Sequence, residues 1–343
     1  MASQLDRLVD RRPALDRSRL LRDLVPPPRF SHARFDSYVP APDHPSQARA
    51  RRRLEQFSGG SGEPARAGAL SRLLGRGDTR AADVAQGVYL DGGFGVGKTH
   101  LLAAAWHAST GRRLYGTFME YTNLAGALGF REAVDVLSGA DLVCIDEFEL
   151  DDPGDTVLMA RLLRELADSG TRLAATSNTL PDALGAGRFV AEDFLREIQA
   201  VGRLFEVVTV DGEDYRHRGS PAPPEPATEA EVQALRGRSD VTVDDFAGLC
   251  VHLGTVHPSR YGPLLDGVKE VGWTGVGPLA DQNVALRLVV LADRIYDRGL
   301  PLVAAGAPLD VLFGEEMLRG PYRKKYLRAL SRLTALARER RPS

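Results

Sequence analysis

Gly87-Val88-Tyr89-Leu90-Asp91-Gly92-Gly93-Phe94-Gly95-Val96-Gly97-Lys98-Thr99 decides the fold. From Gly92 onward it matches G-x-x-x-x-G-K-[ST] in full. Gly87 to Leu90 reads as a strand and Leu101 to His107 as a helix, so the loop joins strand to helix. The glycines let the backbone curl until successive N–H groups face phosphate oxygens. The helix N-terminus adds partial positive charge. Lys98 is expected to reach the β- and γ-phosphates of a nucleotide, and the Thr99 hydroxyl to hold magnesium. Gly92, Gly93, Phe94, Gly95, Val96, Gly97, Lys98 and Thr99 are therefore the expected nucleotide-binding set. A glycine-rich turn matching by chance would need the flanking strand and helix to coincide as well. His100 reads as a helix-surface or packing residue.

Outward from the loop, short apolar runs alternate with helical stretches. The runs are Leu142-Val143-Cys144-Ile145, Leu173-Ala174-Ala175-Thr176 and Phe205 to Val210, with a shorter candidate at Leu114 to Phe118. Continuous apolar strands separated by helices predict a parallel sheet covered on both faces. An α/β P-loop core over residues 66–218 follows. The Leu142 run ends in Asp146-Glu147. Asp146 can share the magnesium shell with Thr99, and Glu147 can polarise an attacking water as general base. ATP and Mg2+ are the expected cofactors, and ATP plus water to ADP plus phosphate the expected reaction. No pocket for a small-molecule phosphoryl acceptor is legible. The plainer alternative is a strand running into an acidic turn, since Glu149, Asp151 and Asp152 follow.

Leu173 to Asn178 places an amide at the tip of a third apolar strand. Asn178 can hold the attacking water and sense the γ-phosphate, or serve turn chemistry before Pro181. Arg188, Arg196 and Arg203 come next. Any of them can act as an arginine finger towards a neighbouring subunit, although each taken singly reads first as a surface residue or salt-bridge partner.

The flanks differ from the core. Residues 1–65 read as helical on either side of Pro26-Pro27-Pro28, which cannot lie inside a helix; Ser46-Gln47 opens the second helix. Residues 219–238 include Ser220-Pro221-Ala222-Pro223-Pro224-Glu225-Pro226 and read as a linker. Residues 239–343 read as a small, mostly helical domain. There Thr242 is the expected N-cap of a helix carrying Phe246, Leu249, Cys250 and Leu253. Arg287 interrupts an otherwise apolar helix in that domain, as a snorkelling surface arginine would.

Composition bounds the function. The 343 residues are 43% hydrophobic and 26% charged, with a net charge of -2, so a soluble globular protein with no global basic field for nucleic acid is expected. The two cysteines, Cys144 and Cys250, lie in apolar surroundings and indicate neither a disulfide framework nor a zinc site. The charged first residues predict no secretory signal, and no apolar run is long enough to span a bilayer. A cytoplasmic setting is expected, with membrane association at most peripheral. The Arg49, Arg51, Arg52, Arg53 cluster reads as a solvated helix face.

Together these pieces resemble the ZapE/Afg-type ATPases, AAA+ proteins that include bacterial cell-division factors and their mitochondrial relatives. The resemblance rests on Gly87 to Leu90 with the phosphate loop, Ile145-Asp146-Glu147-Phe148, Thr176-Ser177-Asn178 and Asp214-Tyr215-Arg216. Tyr38-Val39-Pro40 with Pro45-Ser46-Gln47, Phe246 to Cys250, Arg287 to Asp297 and Ser331-Arg332-Leu333 extend it. It implies a five-stranded AAA+ core with a helical lid, Asn178 as first sensor and Arg287 as second sensor. It further implies ATP-driven remodelling of a protein partner, such as division-ring components at the membrane, by a homo-oligomer. Two stretches depart from the family pattern. Leu114 to Thr122 replaces a His- and Phe-rich strand region, and Leu184 to Phe189 leaves the arginine finger unassigned. The rivals are a DNA-associated loader or initiator ATPase, which shares the core, and a nucleotide-gated scaffold with little turnover. The Arg49 to Arg53 cluster is too short to be a DNA-reading stripe.

Overall fold

The apolar runs around the phosphate loop all become strands. A computed structural model describes residues 7–14, 16–59, 86–149, 153–179, 195–213 and 224–339. These fall into two units. The first holds 17–26, 30–59, 86–149, 153–179 and 195–213, and the second 7–14, 16, 27–29 and 224–339.

In the first unit, β1 (Gly87–Asp91), β2 (Arg113–Thr117), β3 (Leu142–Asp146), β4 (Arg172–Ser177) and β5 (Phe205–Thr209) form one sheet in the order β2-β3-β4-β1-β5. Every pairing is parallel. Both faces are covered over β1 to β4, so those strands are buried almost throughout instead of alternating, while the edge strand β5 keeps Glu206, Val207 and Thr209 exposed. Period-two geometry nevertheless sorts them. Val88, Leu90, Leu142, Cys144 and Ala174 face one layer of helices. Tyr89, Val143, Ile145, Leu173 and Ala175 face the other.

The first layer contains α2 (Pro45–Gly59) and α3 (Lys98–Ala108). Leu101, Leu102, Ala103, Ala104 and Ala105 of α3 are all fully buried, and Ala50 and Leu54 of α2 join them. Removing one such leucine from water contributes about 1.5–3 kcal/mol. The second layer contains α4 (Phe118–Leu128), α6 (Pro153–Asp168) and α7 (Leu195–Gly202), with α5 (Phe130–Leu137) between α4 and α6 in sequence. Ahead of these, α1 (Arg17–Arg22) leads to Leu24, whose carbonyl accepts the Tyr115 N–H at 2.9 Å on the outer edge of β2. Residues before 66 therefore complete both the sheet edge and the core. With this sheet order and the phosphate loop at the β1-to-α3 turn, the unit is a P-loop AAA+ core.

The expectation of a mostly helical region after residue 239 has to be widened. The helices are there: α9 (Phe246–Thr255), α10 (Tyr261–Leu264), α11 (Gln282–Asp297), α12 (Glu315–Arg319) and α13 (Arg323–Glu339). They surround a parallel three-stranded sheet of β6 (Val241–Asp245), β7 (Glu270–Val276) and β8 (Leu302–Gly306), in the order β6-β7-β8. Thr242 lies inside β6, and the cap of α9 is Asp245, whose carboxylate accepts the Gly248 N–H at 2.8 Å. Trp273 of β7 is fully buried among Leu288, Leu291 and Leu333. The second half of the expected linker is also structured. Thr228 and Glu231 form a capping box for α8 (Glu229–Gln233), and Val232 and Leu235 pack on Val241, Val243 and Val303. No described helix is long and apolar enough to cross a membrane.

Candidate active site

The site grows from the C-terminal edge of the parallel sheet, where α/β folds gather ligands. β1 ends at Asp91, the loop turns, and α3 begins at Lys98. Gly95 and Gly97 supply the left-handed turns, with φ of 64° and 89°. Gly97 is doubly constrained, because a Cβ there would lie 2.4 Å from Tyr38 Cε2. Tyr38 lies against the loop because its hydroxyl donates to Val96 O at 2.9 Å. Gly97→Ala is expected to destabilise the unit by about 1–3 kcal/mol, the usual range for a strained backbone position. A thermal unfolding curve that superposes on that of the parent chain would refute this.

Lys98 is buried at 8% exposure, so its ammonium requires partners. It donates to Gly92 O at 2.8 Å, to Gly93 O at 2.5 Å and to Asn178 Oδ1 at 2.9 Å. The tip of β4 thus meets the phosphate loop. The Asn178 amide nitrogen in turn lies 3.5 Å from Glu149 Oε1. On the neighbouring strand, Asp146 ends β3 at 5% exposure. Its Oδ1 accepts from Thr99 Oγ1 at 3.3 Å and from the Thr176 hydroxyl. Its Oδ2 accepts from the Tyr115 hydroxyl at 2.8 Å.

Glu147 has φ of 53°, the one positive value at a non-glycine among the described residues. Such a conformation costs about 1–3 kcal/mol and persists only where its surroundings enforce it. Here the Glu147 N–H is shared between Asp146 Oδ1 and Thr176 Oγ1, each at 3.1 Å, and the Phe148 N–H donates to Thr176 O at 2.7 Å. The buried Phe148 side chain anchors the turn, edge-on to Tyr89 and Phe118. Glu147 itself stays partly exposed at the strand tip.

These residues fit a magnesium–nucleotide complex. Thr99 and Asp146 present hard oxygen donors in direct contact, as a small divalent cation requires. The loop supplies backbone N–H groups, a helix N-terminus and an ammonium for phosphate. Cys144, beneath the site in β3, takes no part. Burial pushes its thiol well above the ordinary cysteine range, which keeps it protonated and inert.

The other expected residues are placed less closely. Arg196 and Arg203 are exposed on the core unit, and Arg188 lies outside the described residues, as does Asp214-Tyr215-Arg216. Arg287 belongs to the second unit. There its Nη1 donates to Leu253 O at 2.9 Å, Val256 O at 3.1 Å and the Tyr261 hydroxyl oxygen at 3.4 Å. This clamps the C-terminal end of α9, whose last carbonyls lack helical partners. His100 secures the preceding segment, with Nε2 at 3.0 Å from both Arg34 O and Ser37 Oγ. Motif reading gave no role at the site to Tyr115, nor to Tyr38 and Thr176, which entered only within the resembling stretches. The signal in each was a hydroxyl in a buried apolar setting, where it must find a partner.

The chain is similar to several known proteins. The cell division protein ZapE of Escherichia coli strain K12 is 32% identical over 155 residues, which are 42% of this chain and 41% of that protein. Lactation elevated protein 1 homolog B of Danio rerio is 27% identical over 230 residues, 56% of this chain and 45% of that one. The chain thus spans under half the length of these curated relatives. Among solved structures, domain III of the Thermotoga maritima replication initiation protein DnaA has a TM-score of 0.39 at 18% identity, over 56% of this chain and 71% of that one. The model of the AFG1-like ATPase family matches residues 15–238 and 219–341. On that match, with the phosphate loop and acid pair in place, the chain belongs to the AFG1-like ATPase family.

Proposed function

We propose that the chain hydrolyses ATP with Mg2+ and uses the cycle to remodel a protein partner in cell division. The observation that carries the chemistry is the contact of Thr99 with Asp146 beside the Lys98–Asn178 hydrogen bond. It brings Lys98, Thr99, Asp146 and Asn178 together at one sheet edge with Glu147 next to them, which supports phosphate-binding, metal-shell and sensor roles for them. In this reading Thr99 and Asp146 would hold magnesium, which would supply charge neutralisation for the transferred phosphoryl group. Lys98 leaves its loop carbonyls for phosphate oxygens. Asn178, released from Lys98, orients the attacking water, and Glu147 takes its proton.

Cell division enters through the likeness to the Escherichia coli protein, whose name carries that role. A homo-oligomer would complete the site with an arginine from the neighbouring copy. Arg196 and Arg203 are exposed and open to that task. Replacing the true finger with alanine should slow hydrolysis while leaving ATP affinity intact. The test of the partner is a Glu147→Gln chain loaded with ATP and used as bait. Division-ring components should be retained with ATP and released with ADP. Retention that ignores the nucleotide, or recovery of nucleic acid in their place, would defeat the cell-division reading.

A further inference from the structure

We propose that Tyr115 is a positioning residue for the metal-shell carboxylate, fixing Asp146 so that Oδ1 alone is turned to Thr99 and the cation. The inference rests on the magnesium-dependent reading given above. Tyr115 lies on β2 opposite Cys144, two residues ahead of the pair Thr117 and Asp146. Side chains two apart on a strand share a face, so Cys144 and Asp146 both point to the α3 side. The phenol spans that diagonal and donates to Asp146 Oδ2 at 2.8 Å. The ring packs with Leu102, Ala103, Leu142 and Ala174, a setting that phenylalanine would fill equally well. The hydroxyl is therefore what distinguishes tyrosine here. At 2% exposure it has no access to bulk water, and it faces a carboxylate that is itself 5% exposed.

The two oxygens of Asp146 do different work. Oδ1 accepts from the Thr99 and Thr176 hydroxyls and from the Glu147 N–H, so it faces the phosphate loop. Oδ2 faces the opposite way, into β2. A charge-assisted hydrogen bond on Oδ2 holds the carboxylate plane and prevents it from swinging about its terminal torsion. Without it, the Thr176 hydroxyl and the Glu147 N–H would hold Oδ1 from one side only, and cation binding would have to restore the remaining order each time.

The test is Mg2+ titration at fixed AMPPCP, a non-hydrolysed nucleotide, on the full chain and on Tyr115→Phe and Asp146→Asn variants. Tyr115→Phe should raise the Mg2+ concentration for half-saturation about 5- to 10-fold, part of the effect of losing one hydrogen bond to a charged group, because the bond is already made before the cation binds. Its affinity for AMPPCP in EDTA should match that of the parent, while its melting temperature falls by no more than the loss of one buried hydrogen bond requires. An unshifted Mg2+ curve in Tyr115→Phe, beside a shifted curve in Asp146→Asn, would overturn the proposal and spare the ATPase reading. A variant that loses Mg2+-free affinity would show a packing role and overturn it too. No shift even in Asp146→Asn would remove Asp146 from the metal shell, and the proposed function would fail with it.

Discussion

Lys98→Ala is expected to weaken ATP binding by about 10- to 100-fold, because a charge-assisted hydrogen bond to phosphate contributes about 1.5–3 kcal/mol and each 1.4 kcal/mol is a factor of ten. The loss has two parts. The phosphates lose their ammonium, and the Gly92 and Gly93 carbonyls and the Asn178 amide lose the donor that now organises them. The loop would then bind phosphate with backbone N–H groups alone. Equilibrium titration with ATP, beside a melting curve, separates the parts. A variant that melts like the parent yet binds ATP no more weakly would show that Lys98 does not touch phosphate.

Glu147→Gln should behave in the opposite way. Hydrolysis should fall by at least about 100-fold, within the range for a missing general base, while ATP affinity stays within a few-fold. The substitution keeps the side chain's size. It also leaves the strained turn intact, because the bonds that hold φ at 53° come from the Glu147 backbone N–H. Only the carboxylate's capacity to accept a proton is removed. Rapid-quench measurement of one turnover would detect the change directly. Near-parental turnover would transfer the base role elsewhere, and the buried Glu149, next to Asn178, would be the first place to look.

The two halves of the molecule were unequally legible in the sequence. The phosphate loop and the strands of the core could be read because their chemistry is local. Glycines at the turns, an apolar run ended by acids and a lysine before threonine need no knowledge of distant residues. The second sheet could not be read so easily. Val241-Thr242-Val243-Asp244 is too short to separate period two from a helix start, and Thr242 is a plausible cap that loses to Asp245. The prolines at 221–226 overshadowed Thr228 and Glu231, a capping-box spacing that does initiate α8.

Within the site the division is the same. Lys98, Thr99 and Asp146 announce themselves by motif. Tyr115 does not, because its partner lies 31 residues along the chain and is met only through strand pairing. Tyr38 reaches Val96 across 58 residues and likewise has no local signature. Arg287 shows the converse. Its position in an apolar helix read as a snorkelling surface arginine and only the resemblance implied a sensor, while its guanidinium donates to the carbonyls of Leu253 and Val256. A charged group in a helix can serve a neighbouring helix end as readily as a ligand.

The most direct test of the whole account is steady-state phosphate release from ATP by the purified chain, with Mg2+ or with EDTA, beside Lys98→Ala and Glu147→Gln. The account predicts release that requires Mg2+, is absent in Lys98→Ala, and is lost in Glu147→Gln although ATP is still bound. Release that persists in EDTA, or that survives in Glu147→Gln at the parental rate, would contradict it.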